Sequence, residues 1–317
     1  MKDESKPLIS ICIPVFNEGE NVIPLHEELN RLAERLSERY DFEFIFSDNK
    51  SDDDTWSKIE KLSRLDIRVK ALRFTRNVGF QDSIMANLSY ASGVAIVQID
   101  ADLQDPPELI LEFLHHWEKG IKVVYGVRQK RKESFAENLI RKIGYRFISA
   151  ISEHPIPRDA GDFRLLDRVV VNTLVESKTP KPYIRGAIAS YGYASLGIPY
   201  SRHERKANKS KFPIYKVFKL GLDGVVNHSS WPLKFSTLSG AFILLCSLLL
   251  SIYYVFLKVS NHNLPQGLAS IHILVTFGIG MNALFLGIIG NYLNRIYLIL
   301  RNEPKFIVSD KINFGGK

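Results

Sequence analysis

Short apolar runs alternate with segments of helical spacing along the first hundred residues of the chain. The apolar runs, each of which predicts a β-strand, cover residues 8–16, 42–47, 69–74 and 95–99. The segments between them repeat apolar side chains three and four positions apart, which predicts helices over residues 19–39, 55–65 and 81–92. Strands that alternate with helices are joined by right-handed crossovers, so we predict an α/β fold with a mainly parallel, Rossmann-like sheet.

Polar side chains follow each of these four predicted strands. They are Asn17 and Glu18, residues 48–54, Arg76 with Asn77 and Gly79, and Asp100 with Asp102. The carboxyl ends of parallel strands lie at one edge of a sheet, where ligands of α/β proteins bind. The pattern therefore predicts a binding cleft, although any one of these loops alone is as well explained by an ordinary solvated turn.

The loop after the fourth strand carries the most specific chemistry. Residues 100–108 read Asp-Ala-Asp-Leu-Gln-Asp-Pro-Pro-Glu. Two carboxylates two positions apart at the mouth of a strand suit a hard divalent cation, Mg²⁺ or Mn²⁺, that also holds phosphate oxygens. The alternative is an acidic start to a helix beginning near Pro106, which would explain Asp105 and Glu108 through the helix dipole but leave Asp100 and Asp102 unexplained.

Charge is distributed unevenly along the chain. The 317 residues include 42 Lys or Arg and 34 Asp or Glu, for a net charge of +8. Residues 235–257 and residues 268–294 carry no charge at all, and each run exceeds the roughly 18 residues typical of a membrane-spanning helix. We therefore predict two transmembrane helices joined by a short non-cytosolic loop at 258–267, with two buried core helices as the alternative.

The flanks of these runs predict their orientation. Basic residues precede the first run and follow the second, which places both ends in the cytosol by the positive-inside rule. We predict a cytosolic domain at 1–211, an amphipathic juxtamembrane segment at 212–234 and a cytosolic tail at 295–317, in a multi-pass protein of the plasma (inner) membrane. Because the basic residues gather at membrane flanks without interleaved aromatic residues, we do not expect nucleic-acid binding.

Several motifs together resemble a known family of enzymes. Residues 13–18 (Ile-Pro-Val-Phe-Asn-Glu), Ser47-Asp48, Arg76-Asn77-Val78-Gly79 and residues 100–108 resemble the inverting GT-A glycosyltransferases of family 2. Residues 161–168, the pair Arg185-Gly186 and residues 202–213 resemble the polyisoprenyl-phosphate glycosyltransferases within it. This subgroup contains dolichol-phosphate mannose synthases and the bactoprenol glucosyltransferases of O-antigen modification, and two C-terminal spans are more typical of the latter.

The resemblance implies a reaction and its partners. A hexose, glucose from the nucleotide-sugar donor UDP-glucose, would pass with inversion to polyprenyl (undecaprenyl) phosphate at the cytosolic membrane face. A mannose synthase that uses GDP-mannose and an inactive membrane scaffold are the alternatives. Relatives that assemble, together with polar residues in the second predicted span, would permit a homo-oligomer such as a tetramer.

The resemblance also implies roles for individual residues. The nucleotide-sugar site would contain Pro14, Asn17, Glu18, Asp48, Arg76, Asn77 and Asp100. Asp102 would hold the metal with Gln104 beside it, and the catalytic set would be Asp162, Asp100, Asp102 and Gln104. Asp159 is a rival to Asp162, and simple pairing of Asp162 with Arg164 or Arg168 is the non-catalytic alternative. Asn49 and Lys50 replace the family's usual acid and glycine, so the resemblance does not carry over the details of base recognition.

Two basic segments are candidates for the lipid phosphate. The residues that would grip it are Arg128, Arg131, Arg202, Arg205, Ser210 and Lys211. Arginine suits bidentate contact with phosphate, and clusters of this kind also bind anionic lipid headgroups. The alternatives are a plain solvated charge run around Arg128 and, for residues 202–211, a role in topology only.

Overall fold

The structure is a computed structural model in which residues 6–128, 160–177, 184–202, 267–301 and 303–315 are described, together with 238–240 and six single positions between 242 and 260. The described residues fall into two compact units. The first contains those up to residue 202 and those from Pro304 onward, and the second contains those from 238 to Glu303. Every candidate site residue that is described lies in the first unit.

An eight-stranded mixed sheet forms the centre of the first unit. Its strands are β1 (Leu8–Val15), β2 (Asp41–Asp48), β3 (Val69–Phe74), β4 (Ala95–Gln98), β5 (Val123–Arg128), β6 (Ala160–Asp167), β7 (Ser195–Tyr200) and β8 (Val308–Ile312). Their order across the sheet is β7-β5-β6-β4-β1-β2-β3-β8. The four strands from β3 to β4 are mutually parallel, whereas β6 runs antiparallel to β4 and β5. The predicted α/β fold with a mainly parallel sheet is confirmed.

Helices cover both faces of this sheet. They are α1 (Gly19–Arg35), α2 (Thr55–Leu65), α3 (Phe80–Tyr90), α4 (Leu109–Glu118), α5 (Arg168–Glu176) and α6 (Ile184–Ser190). Alternate residues of β1 enter two different cores: Ile11 packs with Leu25 and Leu29 of α1, and Cys12 packs with Ile84 of α3. Strands that are buried on both faces have continuous apolar sequences, and this is why they could be predicted from the sequence.

The predicted elements are present, with shifted ends. Helix α1 ends at Arg35, four residues before the predicted end at 39. Helix α4 begins at Leu109, three residues after the predicted start at Pro106. This second shift matters for the site, because Asp105 then lies in the loop before the helix.

The sequence pattern does not predict strand β8, since residues 295–317 are predicted only as a tail. It pairs antiparallel with β3 at the edge of the sheet. The Ser309 hydroxyl donates a hydrogen bond to the Arg73 carbonyl at 3.1 Å, and the Asn313 side chain donates to the Ser63 and Val69 carbonyls. The strand therefore covers an edge that would otherwise expose unpaired backbone groups.

The second unit contains a helix of 34 residues, α7 (Leu268–Arg301), which includes the predicted second span. Within the described part of the chain, no helix meets the length and apolarity required to cross a membrane. The two spans at 235–257 and 268–294 stay predictions.

The packing of the segment before β8 gives a testable prediction. Phe306 packs against Phe74 with ring centroids 5.8 Å apart, whereas its neighbour Ile307 is 56% exposed. Phe306→Ala should therefore cost about 2 kcal/mol of unfolding free energy, a fall of roughly 4–8 °C in Tm. Ile307→Ala is the matched control and should change stability by less than about 0.5 kcal/mol. Thermal unfolding of both variants measures this, and equal Tm values would contradict the packing role of Phe306.

Candidate active site

The loops after β1 and β2 are tied together by reciprocal hydrogen bonds. Asn17 adopts a left-handed backbone with φ of 55°. Its amide donates to the Ser51 hydroxyl at 2.9 Å, and its side-chain oxygen accepts from the Asp52 amide at 2.9 Å. The Glu18 amide donates to the Thr55 hydroxyl at 3.0 Å. These bonds fix Asn17 and Glu18 at the carboxyl edge of the sheet, where they were predicted.

A buried carboxylate lies at the end of β2. Asp48 has no solvent exposure, and its Oδ1 accepts a hydrogen bond from the Ser51 amide at 3.0 Å. Its Oδ2 lies 3.2 Å from Nε of Arg73, whose guanidinium stacks over the Trp56 ring at 5.3 Å. Sequence reasoning missed Arg73, although an arginine within an apolar strand is a usable signal. Arg73 is also the residue that β2 and β3 place opposite Asp48.

The departure from the family pattern at Asn49 has a local structural consequence. The Asn49 side-chain oxygen accepts a hydrogen bond from the Val78 amide at 2.8 Å, which joins the loop after β2 to the loop after β3. In that second loop the Asn77 side chain accepts from the Gly79 amide at 2.9 Å. Asn77 and Arg76 are exposed, and Pro14 is buried within β1. Asn49 therefore supports the loop that presents Arg76 and Asn77.

Three carboxylates gather after β4 around one arginine. Arg202 places Nε 3.1 Å from Asp105 Oδ1, and its Nη2 lies 3.3 Å from Asp102 Oδ2 and 4.0 Å from Asp100 Oδ2. We name Asp100, Asp102 and Asp105 the acidic cluster. The explanation of Asp105 as a helix-dipole residue is wrong, since its side chain is fully buried against Arg202 and accepts a hydrogen bond from the Tyr200 hydroxyl.

Crowding within the cluster changes the ionisation of Asp100. Burial, followed by the negative charges of Asp162, Asp105 and Asp102, raises the pKa of Asp100 to about 7, and Arg202 only partly offsets this. One oxygen of Asp100 and one of Asp105 are buried without a hydrogen-bond partner. Buried carboxylate oxygens of this kind are stabilised by a cation.

A second group of charges surrounds Asp162 at the start of β6. Asp162 Oδ1 accepts from Nη2 of Arg164 at 2.9 Å and from Nε of Arg185 at 2.8 Å, and a second Arg185 nitrogen reaches Oδ2. Burial alone would raise the pKa of Asp162, but the Arg185 hydrogen bond and the charges of Arg164, Arg185 and Arg128 hold it below its ordinary value. The pairing with Arg164 that was considered as the non-catalytic alternative is present, whereas Arg168 instead donates to the Ala91 and Gly93 carbonyls. We name Arg128, Arg164 and Arg185 the arginine group.

A chain of hydrogen bonds joins the acidic cluster to the arginine group. Arg128 Nε donates to the Tyr200 hydroxyl at 3.4 Å, and that hydroxyl donates to Asp105. Arg128 also lies against Gly161, where an added Cβ would meet its guanidinium at 3.4 Å. The acidic cluster and the arginine group are therefore joined by direct contacts. The pair Arg185-Gly186 belongs to the motifs of the family resemblance, but the sequence alone does not predict that Arg185 contacts Asp162.

The structure places six of the twelve predicted site residues that it describes around the two charge groups. They are Asp100, Asp102, Asp162, Arg128, Arg202 and buried Gln104, whose backbone amide donates to Asp102 at 3.3 Å. Arg202, a predicted lipid-phosphate residue, contacts the three carboxylates of the acidic cluster. The predicted residues Arg131, Asp159, Arg205, Ser210 and Lys211 lie outside the described residues.

The acidic cluster fits a hard divalent cation by its chemistry. Its donors are all carboxylate oxygens, and Asp100 retains an oxygen without a partner. Among the described residues, no group of three or more His, Cys, Asp or Glu side chains is arranged to enclose a metal ion alone. A cation that keeps water and binds substrate phosphate needs only one or two protein carboxylates, which this cluster supplies.

The family model for Glycosyl transferase family 2 matches residues 10–175, more than half of the chain. The chain belongs to glycosyl transferase family 2. It is a glycosyltransferase with a GT-A-like α/β fold. The matched range contains Asp48, the acidic cluster and Asp162, whereas Arg185 and Arg202 follow it.

Relatives of this glycosyltransferase extend over nearly the whole chain. An uncharacterized glycosyltransferase, YkcC of Bacillus subtilis, is 37% identical over 97% of this chain and 95% of its own length. The prophage-derived bactoprenol glucosyl transferase of Shigella flexneri is 34% identical over 95% of this chain and 97% of its own. A crystal structure of glucosyl-3-phosphoglycerate synthase from Mycobacterium tuberculosis, with Mn²⁺ and UDP, is 16% identical over 70% of this chain and 78% of that chain, with a TM-score of 0.44.

Removal of the crowded charge at Asp100 should stabilise this glycosyltransferase. Its folded-state pKa lies above the ordinary value of 3.8, so the folded protein keeps a proton that the unfolded chain releases, and stability falls as pH rises from about 4 to about 7. Asp100→Asn should therefore raise the unfolding free energy by about 2–4 kcal/mol at pH 8 in metal-free buffer, and by much less at pH 4. Denaturant unfolding at both pH values measures this. A variant that is less stable at pH 8 would contradict the crowding.

The Asp162–Arg185 pair predicts the opposite dependence on pH. The folded-state pKa of Asp162 is lowered, so the pair contributes stability above the unfolded pKa and loses it as pH falls through the folded value. Arg185→Gln should cost about 2 kcal/mol at pH 7 and progressively less below pH 4. Arg64→Gln, at an exposed position on α2, is the control and should be nearly neutral. If Arg185→Gln lowers the unfolding free energy by the same amount at every pH, the Asp162–Arg185 ion pair does not contribute the predicted stability.

Proposed function

We propose that this glycosyltransferase transfers glucose from UDP-glucose to polyprenyl (undecaprenyl) phosphate at the cytosolic face of the plasma membrane. The observation that carries the proposal is the cleft with an acidic cluster beside an arginine group, because the reaction brings a diphosphate donor and a phosphate acceptor together. The relatives named bactoprenol glucosyl transferases, aligned over nearly the full chain, support this acceptor and this sugar.

The donor occupies the acidic side of the cleft in this proposal. Asp102 would hold Mg²⁺ or Mn²⁺ for the donor diphosphate, with Gln104 beside it, and the nucleoside would lie among Pro14, Asn17, Glu18 and Asp48. A bound cation would neutralise the negative charge that develops on the departing diphosphate. Asp100, the most crowded carboxylate, accepts from a sugar or ribose hydroxyl. Arg76 and Asn77, exposed on the loop after β3, complete the nucleotide-sugar site.

The acceptor occupies the basic side. A phosphate-oxygen of the lipid attacks the anomeric carbon of glucose, a new carbon–oxygen bond forms with inversion, and the nucleoside diphosphate leaves. A phosphate monoester has a second pKa of about 6 and is largely dianionic at neutral pH, so no strong base is needed. Asp162 is held ionised between Arg164 and Arg185, which suits it to orient the acceptor rather than to take a proton. Arg128 binds the phosphate, with Arg131, Arg205, Ser210 and Lys211 at the phosphate and the headgroup region.

The connectivity of the chain supports a membrane anchor with both ends on one side. The chain leaves the first unit after β7 and returns to supply β8, so a membrane segment between them must cross an even number of times. Described positions in this interval expose large apolar side chains; they are Leu238, Phe242, Leu245, Leu249, Ile252 and Phe256. Large exposed apolar side chains are typical of contact with lipid or with other subunits, in keeping with the proposed homo-oligomer.

A transfer assay tests the proposal directly. Membranes that contain the protein are incubated with labelled UDP-glucose, polyprenyl phosphate and Mg²⁺ or Mn²⁺, and label in the organic phase is counted. We expect metal-dependent label that Asp102→Ala lowers by at least about 100-fold. Asp41→Ala is the matched control, because Asp41 is exposed at the amino end of β2, the opposite end from the site, and it should keep activity within about twofold.

The donor panel separates the alternatives. If label reaches the organic phase from GDP-mannose but not from UDP-glucose, the donor is that of a mannose synthase and not the proposed one. No transfer from any nucleotide sugar by folded protein would contradict the proposal and favour an inactive scaffold.

A further inference from the structure

The most unusual contact in the cleft is made by Arg202. This residue follows β7, and its side chain is 20% exposed. One guanidinium reaches all three carboxylates of the acidic cluster, at 3.1 Å from Asp105, 3.3 Å from Asp102 and 4.0 Å from Asp100. Arg202 therefore supplies positive charge at the place where the proposed function requires a divalent cation.

Charge balance makes the two cations alternatives at Asp102. The guanidinium already contacts Asp102 Oδ2 at 3.3 Å, so a divalent ion bound to the same oxygen would lie within a few ångströms of it. Repulsion between two cations at such separations is strong at a partly buried site, where water screens charge poorly. Asp100 and Asp105 each keep a buried oxygen without a hydrogen-bond partner, so the cluster keeps attraction for a cation even with Arg202 in place.

We propose that Arg202 is an internal competitor of the divalent cation for Asp102. The inference rests on the proposed metal-dependent function and adds a positioning residue to it. While the donor site is empty, Arg202 compensates the acidic cluster and weakens retention of a free metal ion. Metal binding becomes favourable when a diphosphate brings further negative charge into the cleft, so the metal enters with the donor.

A merely structural role for Arg202 predicts the opposite sign. If the arginine only supported the fold of the loop that carries the cluster, its removal would disorder the carboxylates and weaken metal binding. Competition predicts that removal of the arginine strengthens metal binding. The affinity for the metal alone, in the absence of any sugar nucleotide, separates the two roles.

Binding of Mn²⁺ to the purified full-length protein tests the proposal. The free Mn²⁺ signal in electron paramagnetic resonance is titrated with wild-type protein, with Arg202→Gln and with Arg202→Lys, without nucleotide. We expect Arg202→Gln to bind Mn²⁺ about tenfold more tightly than wild type. Arg202→Lys keeps the positive charge but loses the forked contact, so its Mn²⁺ affinity should lie between those of wild type and Arg202→Gln. The same variant tests the proposal if Arg202→Gln does not fold. Lys122→Gln, which breaks a pair with Asp167 at 2.9 Å, is the control for loss of a positive charge and should leave the affinity unchanged.

The outcomes are distinct. Equal or weaker Mn²⁺ binding by folded Arg202 variants, with measurable binding by wild type, would overturn the competition and leave the proposed function standing. No Mn²⁺ binding by any variant, with or without UDP or GDP, would overturn both the competition and the metal dependence of the proposed function. Tightening in Lys122→Gln as large as that in Arg202→Gln would show a general charge effect and would also overturn the competition.

Discussion

The burial of several neighbouring carboxylates at the end of β4 is the constraint on which the site depends. Burial, and after it the negative charges of Asp162, Asp105 and Asp102, raises the pKa of Asp100 to about 7. Asp162 is held between Arg164 and Arg185, whereas the Arg202 guanidinium contacts all three carboxylates of the acidic cluster. Carboxylates beside a group of arginines suit the proposed transfer, in which a cation and two phosphate groups would come together.

Strand direction explains how residues far apart in sequence meet at this cleft. Strand β4 is antiparallel to β6, and Gln98 pairs with Arg164, so the chain just past β4 lies opposite Asp162. Strand β7 is parallel to β5, and Arg128 pairs with Tyr200, which carries Arg202 to the same edge. Polar groups that begin or end four different strands thus converge without a long loop. On the other side of β1, reciprocal bonds between the loops after β1 and β2 prepare the region proposed for the nucleoside.

Sequence patterns predicted the parallel half of the sheet because strands that are buried on both faces leave a continuous apolar signal. They did not predict β8, whose Val-Ser-Asp-Lys-Ile sequence is half exposed and gains its stability from pairing with β3. The acidic loop was found by its position after a strand. The sequence did not indicate the site roles of Arg73 and Arg185 or the contact of Arg202 with Asp105. Each of these depends on register or packing between distant segments. One explanation of Asp105 placed it at the start of a helix near Pro106, but the helix begins at Leu109.

We expect the acidic cluster to bind the cation that also contacts the donor diphosphate. Anomalous diffraction from crystals grown with Mn²⁺ and the donor nucleotide locates the metal independently of activity. We expect a Mn²⁺ peak within about 2.6 Å of an Asp102 oxygen, near the diphosphate, with the Arg202 guanidinium withdrawn from that carboxylate. A Mn²⁺ peak away from Asp102, or bound nucleotide with Arg202 still on Asp102 and no metal beside it, would show that the acidic cluster does not bind the cation.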